Sequence, residues 1–157
     1  GCETAPDEKA AAGGSGGAQA SVAAKPMPAA PAQRVGPAPG SVEDFVVNVG
    51  DRVFFDFDKF DVSADSQAVL KKQAAWLQKY PKLDIIVQGH CDERGTREYN
   101  LALGERRANA VKDYLSALGI ARTRVRTISF GKERPVALGH DEAAWAQNRR
   151  GVTALTN

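Results

Sequence analysis

All eleven aromatic residues lie at Phe45 or beyond, whereas six of the eight prolines fall before residue 43, so a core can form only in the later part of the chain. From Glu3 to Val42, 27 of 40 residues are Ala, Gly, Pro or Ser. Such a stretch buries too little apolar surface to offset its conformational entropy. It reads as a flexible tether over residues 1–42, stiffened around Pro26, Pro28, Pro31, Pro37 and Pro39. Residues 43–157 remain, close to the commonest domain size and enough for one core.

Charge at this level says little about partners. The formal net charge is +2, with three basic against three acidic residues in the tail and 18 against 16 in the domain. A nucleic-acid surface usually carries a larger positive excess, so no nucleic-acid partner is expected. No run of 18 apolar residues is present, which excludes a spanning helix. Cys2 and Cys91 are the only cysteines, too few for a disulfide scaffold. Gly1-Cys2 followed by a tether resembles the start of a processed bacterial lipoprotein, with Cys2 as the lipidated residue. One acyl chain anchors only marginally, so several are expected on Cys2, palmitate among them. As a coil of about 40 residues the tether averages roughly 35 Å end to end and stretches to about 130 Å.

Within the domain, Asp51 to Phe57 alternates, with Val53, Phe55 and Phe57 on one face, and predicts a strand. Ser63 is a plausible N-cap for a helix reaching Tyr80, with Val69, Leu70, Ala74 and Leu77 at helical spacing and Pro81 as its stop. Leu83 to Gln88 predicts a second strand, followed by the polar loop from His90 to Thr96. A long helix spans about Arg97 to Leu118 and stops at Gly119. Val125 to Phe130 predicts a third strand, Asp141 to Arg150 a short helix and Val152 to Thr156 a last edge strand. The order β-α-β-α-β-α-β argues an α/β sandwich, helices on a mixed four-stranded sheet whose first strands pair in parallel.

The apolar stripe of the second long helix runs through Val111, Leu115 and Leu118, and backward steps of 3.6 residues reach Arg107, Gly104 and Asn100. Arg107 therefore lies on the core-facing stripe, where an unpaired guanidinium costs several kcal/mol. Asp92, leaving the second strand, is the nearest carboxylate in topology. Two meanings stay open. The two residues form a structural ion pair, or they stand apart, partly hydrated, to line a cleft for a small ligand bearing both charges. The carboxyl ends of parallel strands, where Asp92 falls, are where open α/β sheets bind ligands.

Phe55-Asp56-Phe57-Asp58-Lys59-Phe60-Asp61, Gly89-His90-Cys91-Asp92-Glu93-Arg94-Gly95-Thr96 and Glu98-Tyr99-Asn100-Leu101-Ala102-Leu103-Gly104-Glu105-Arg106-Arg107-Ala108 resemble the peptidoglycan-associated lipoprotein (Pal) family of Gram-negative bacteria. Phe130-Gly131-Lys132-Glu133-Arg134-Pro135, Leu138 to Ala144 and Asn148-Arg149-Arg150 continue the match, which covers nearly all of the domain. The resemblance implies an OmpA-like domain that grips peptidoglycan at the meso-diaminopimelate of its stem peptide. It also implies TolB as partner within the Tol-Pal system, a role in envelope integrity and constriction at division, and outer-membrane anchoring through lipid with the domain facing the periplasm. By motif position, Asp92 and Arg107 match the charged ligand contacts, Phe57 and Asp58 the residues closing the site, and Leu103 a wall residue. Cys91 stands where Thr or Ala is usual, Arg97 where Pro is common, and the ending Ala154-Leu155-Thr156-Asn157 departs from the family's.

His90, Cys91 and Asp92 offer the groups of a catalytic triad, but neighbours in extended chain point to opposite sides, so no catalytic residue is expected. His90 and His140 lack further donors at metal-ligand spacing, and neither metal nor cofactor is expected. Arg122, Arg124 and Arg126 read as a solvated face or a protein contact. Trp145 and Val69 to Trp76 read as core. Two alternatives to a Pal-type wall binder are an OmpA-like anchor of another envelope machine and a murein hydrolase; the latter needs a zinc site, a Cys-His pair or two poised carboxylates.

Overall fold

The computed structural model describes residues 36–156, and the compact unit begins at Pro37. The expectations for Cys2 and for most of the tether lie outside the described residues. The folded unit opens with a short helix, α1 (Val42–Asp44), capped by the Ser41 hydroxyl, which accepts from the Asp44 N–H. A π-helical turn over Phe45–Val49 follows and inserts Phe45 into the core, 1% exposed. Then come β1 (Arg52–Phe54), α2 (Ala64–Lys79), β2 (Ile85–His90), α3 (Arg97–Ala117), β3 (Val125–Gly131), α4 (Glu142–Asn148) and β4 (Arg150–Leu155).

The sheet order is β1-β4-β2-β3. β2 and β3 pair in parallel, and β4 runs antiparallel to both β1 and β2. Two expectations are corrected here: β1 and β2 do not pair, and the last strand is central instead of an edge. Insertion of β4 between them satisfies the open edges of two strands at once and leaves a three-residue strand at one border of the sheet, a short edge that resists further pairing. β1 is also shorter than expected. The chain turns at Asp58, whose φ of 59° is left-handed, so Phe57 leaves the core face and is 54% exposed.

Both long helices are capped, the first by Ser63 as the sequence predicts. Ser63 accepts from the Ser66 N–H, and Thr96 from the Tyr99 N–H. α2 buries Leu70, Ala74 and Leu77, and its Gln73 is fully buried yet satisfied, donating to the Gly50 carbonyl and accepting from Thr153. Trp76 is 8% exposed, packs with tilted rings against Phe45 and Tyr80, and donates to Asp44. α3 buries Asn100, Gly104, Arg107, Val111 and Leu115, the stripe expected from the 3.6-residue period. At Gly104 it lies directly against Gly89 of β2. That contact fixes Arg107 over the end of β2.

Candidate ligand-binding cleft

β2 ends in a register shift between Gly89 and His90, and the chain then folds over the sheet's end. Asp92 is 4% exposed. Its Oδ1 accepts from the Arg94 backbone N–H at 3.0 Å and from Arg94 Nε at 3.2 Å, while Oδ2 accepts from Arg94 Nη2 at 2.8 Å and Arg149 Nη1 at 3.3 Å. Burial pushes this carboxyl up, but the hydrogen bonds from Arg94 and Arg149 outweigh it and hold the group below its ordinary value. Arg149, itself buried, also pairs with Glu142 at 2.7 Å and donates to the Phe55 carbonyl at 2.8 Å. The Arg94 guanidinium is stacked between two rings, 3.9 Å from the centroid of Phe57 and 4.0 Å from that of Trp145. Trp145 is thus a half-buried wall of the loop and not a core residue.

Arg107 is 0% exposed, and carbonyl oxygens hold it: Nε donates to Lys59 at 2.7 Å, Nη1 to His90 at 2.9 Å and Nη2 to Asp56 at 3.0 Å. Among the described residues no carboxylate lies within ion-pair distance of it. The structural ion pair between Asp92 and Arg107 is therefore not formed, and the expected partial hydration of both charges is not observed either. Local geometry explains the first point, because an Asp two residues before an Arg in a turn is captured by that neighbour before it can reach a helix. Burial pulls the Arg107 guanidinium below its ordinary value, with Cys91 and Asp92 opposing the shift.

The five residues singled out by sequence, Phe57, Asp58, Asp92, Leu103 and Arg107, line one cleft of about 240 Å³, together with Arg94 and Tyr99. The Tyr99 hydroxyl donates to Asp58 Oδ1, which raises the phenol's pKa. A larger depression of about 480 Å³ between β1 and the start of α2 contains none of the five. The sequence reading missed Arg94, Tyr99 and Arg149. The short spacing from Asp92 to Arg94 was a visible signal for the first; nothing local announces Arg149, which is 57 residues from Asp92.

His90 turns away from Cys91, stacking on Phe130 with centroids 5.3 Å apart, and His140 bonds Glu93 at 2.8 Å. Cys91 is 3% exposed and its Sγ donates to the Asn100 carbonyl at 3.3 Å. Burial pushes the thiol up to about 11, against the pull of Arg107. Near pH 8 the thiolate is scarce, so alkylation mapped by mass spectrometry should find Cys91 unreactive in the native protein and reactive after denaturation. Rapid native labelling would contradict the buried placement. Cys91→Ser retains a donor for Asn100 and should cost about 1 kcal/mol.

The OmpA family model matches residues 54–149, which contain the whole cleft. The chain is 61% identical over 117 residues to the peptidoglycan-associated lipoprotein of Rhizobium meliloti, covering 74% of this chain and 66% of that protein. It is 59% identical over 117 residues to the protein of the same name from Brucella melitensis, covering 74% of this chain and 70% of that one. The crystal structure of the peptidoglycan-associated lipoprotein from Burkholderia pseudomallei superposes with a TM-score of 0.66 at 51% identity, over 68% of this chain and 90% of that one. The chain spans about two-thirds of the length of these curated relatives. With the family match and the identities agreeing over the same residues, the chain belongs to the OmpA family and, within it, to the peptidoglycan-associated lipoproteins.

Proposed function

We propose that the domain is a non-catalytic wall-binding module that holds peptidoglycan by the meso-diaminopimelate of its stem peptide. One observation carries this reading: Arg107 is fully buried beside an open cleft and has no carboxylate partner among the described residues. A guanidinium offers five N–H donors, and three of those of Arg107 go to carbonyls. The remaining N–H groups suit a ligand carboxylate. The far end of diaminopimelate carries a carboxylate and an ammonium on one carbon, so the ammonium falls beside the acidic residues of the same cleft. Asp58 is the freer acceptor, since it is exposed and among the described residues holds only Tyr99, whereas Asp92 is occupied by Arg94 and Arg149. Asp92 then acts as the charge that positions the loop as well as part of the acidic wall.

The names of the relatives support peptidoglycan association. They favour an outer-membrane lipoprotein anchored through Cys2, facing the periplasm and working with TolB in the Tol-Pal system. Sedimentation with purified diaminopimelate-type sacculi tests the cleft assignment. The parent protein should pellet without releasing soluble fragments. Arg107→Lys, which keeps the charge and loses the fork, should bind roughly thirtyfold more weakly, about 2 kcal/mol. A folded Arg107→Lys protein that pellets like the parent would refute the assignment.

A further inference from the structure

Only one face of the sheet carries the long helices. α2 and α3 pack on the side of Val53, Val87 and Val125. On the other side, register places Arg52, Val152, Gln88 and Ile128 in one row across all four strands, with Phe54, Arg150 and His90 in the next. Phe54 and Ile128 are 47% and 44% exposed. Arg126 is exposed on β3, and Arg134 stacks on Phe130 with 3.9 Å from guanidinium to centroid. Every charged side chain at an outward strand position of this face is an arginine.

The outward strand positions carry no carboxylate. Asp51 pairs with Arg52 at 3.0 Å, at the β1 border. Arg150, 4% exposed, gives its Nη groups to the carbonyls of Asn148 and Arg134, and among the described residues its Nε–H has no partner. His90 Nδ1 beside it has none either. Burial, then the charges of Arg150, Arg134 and Arg52, push His90 down to about 4; burial, then Arg52, push Arg150 down to about 10. The neighbouring charges acting on both groups are all positive.

An apolar centre flanked by arginine and aromatic side chains, with no Lys, Asp or Glu at the outward strand positions, has the composition of a protein interface. Four strands about 4.8 Å apart give a patch roughly 15–20 Å wide, the footprint of one helix and not of a whole domain. We propose that this helix-free face docks an acidic amphipathic helix of another protein, with its apolar ridge on Phe54, Val152 and Ile128 and its carboxylates on Arg52, Arg126 and Arg134. The chain's own residues 3–42, with three acidic residues balanced by three basic ones, have no such pattern. A bilayer would be held weakly, because each near-surface cation contributes only about 1 kcal/mol there.

NMR titration of the labelled full-length protein decides this, using a synthetic helix of about four turns with Leu on one face and Glu on both flanks. The expected result is saturable shifts confined to residues 52–54, 86–90, 126–130 and 150–154. Binding should weaken at least about tenfold in Arg126→Glu/Arg134→Glu and be lost with a peptide carrying Lys for Glu. Sacculus binding by the same variant should be unchanged, which separates this surface from the cleft. If the charge reversal disturbs folding, Arg126→Gln should still weaken binding measurably. Shifts elsewhere, no saturation, equal binding of the Lys peptide, an indifferent Arg126→Gln, or tighter binding to phosphatidylglycerol vesicles than to the peptide would each overturn the proposal.

Discussion

Replacing Gly89 with alanine is expected to destabilise the domain by about 3 kcal/mol or more, at or beyond the upper end of ordinary overpacking. A Cβ at Gly89 would sit 1.7 Å from the Gly104 carbonyl oxygen and 2.5 Å from its carbon. Both obstacles are backbone, so no rotamer change relieves them; α3 must move off β2. That helix carries Leu103, Arg107 and Val111, so the shift would disturb core and cleft together. Gly104 sharpens the point by reversing the usual sign. Within an exposed helix, glycine to alanine stabilises by roughly 1 kcal/mol. Here the new Cβ would meet Ser129 Oγ at 2.2 Å and the Gly89 oxygen at 2.9 Å, and the change should destabilise. Thermal unfolding checks both, with a drop above roughly 10 °C expected for Gly89→Ala. A melting temperature within a degree or two of the parent would contradict the close approach of helix and strand.

The second large effect belongs to Asp92. Asp92→Asn leaves the size nearly unchanged but removes the charge facing buried Arg149 and stacked Arg94. Breaking a buried pair costs about 3–5 kcal/mol when the partner is stranded. Glu142 still holds Arg149, so a loss at or just under the bottom of that range, about 2–3 kcal/mol, is expected. Acid should produce the same loss. The folded-state pKa of Asp92 lies below its ordinary value, so its contribution is present above the unfolded pKa, near 4, and fades as pH falls through the lower folded value. Denaturant unfolding should therefore show the parent losing stability more steeply than Asp92→Asn in the acid range below about pH 4. Parallel pH profiles for the two proteins would mean that the carboxylate is not engaged as described.

Much of this arrangement was legible before any coordinates. The α3 stripe through Asn100, Gly104, Arg107 and Val111 follows from a period of 3.6, and all five expected site residues line the same cleft. What sequence could not supply was the pairing. Strand period tells which face a residue occupies but not which strand lies beside it, so the central place of β4 was misjudged. The true partners of Asp92 and Arg107 stayed hidden for a related reason. A stripe and a topology bring two charges to the same end of a sheet, yet the partner is chosen by local turn geometry, which favours Arg94, and by β4's return, which delivers Arg149. Trp145, expected in the core, instead covers the Arg94 guanidinium with its ring.

The most direct test of the account is isothermal titration of the parent protein with two stem peptides that differ only at the third residue, meso-diaminopimelate or lysine. The lysine peptide keeps the ammonium and lacks the carboxylate assigned to Arg107. Preference for the diaminopimelate peptide by roughly thirtyfold or more, about 2 kcal/mol, is the predicted result. Equal affinity for the two peptides would show that Arg107 does not receive the ligand's carboxylate, and would contradict the central claim.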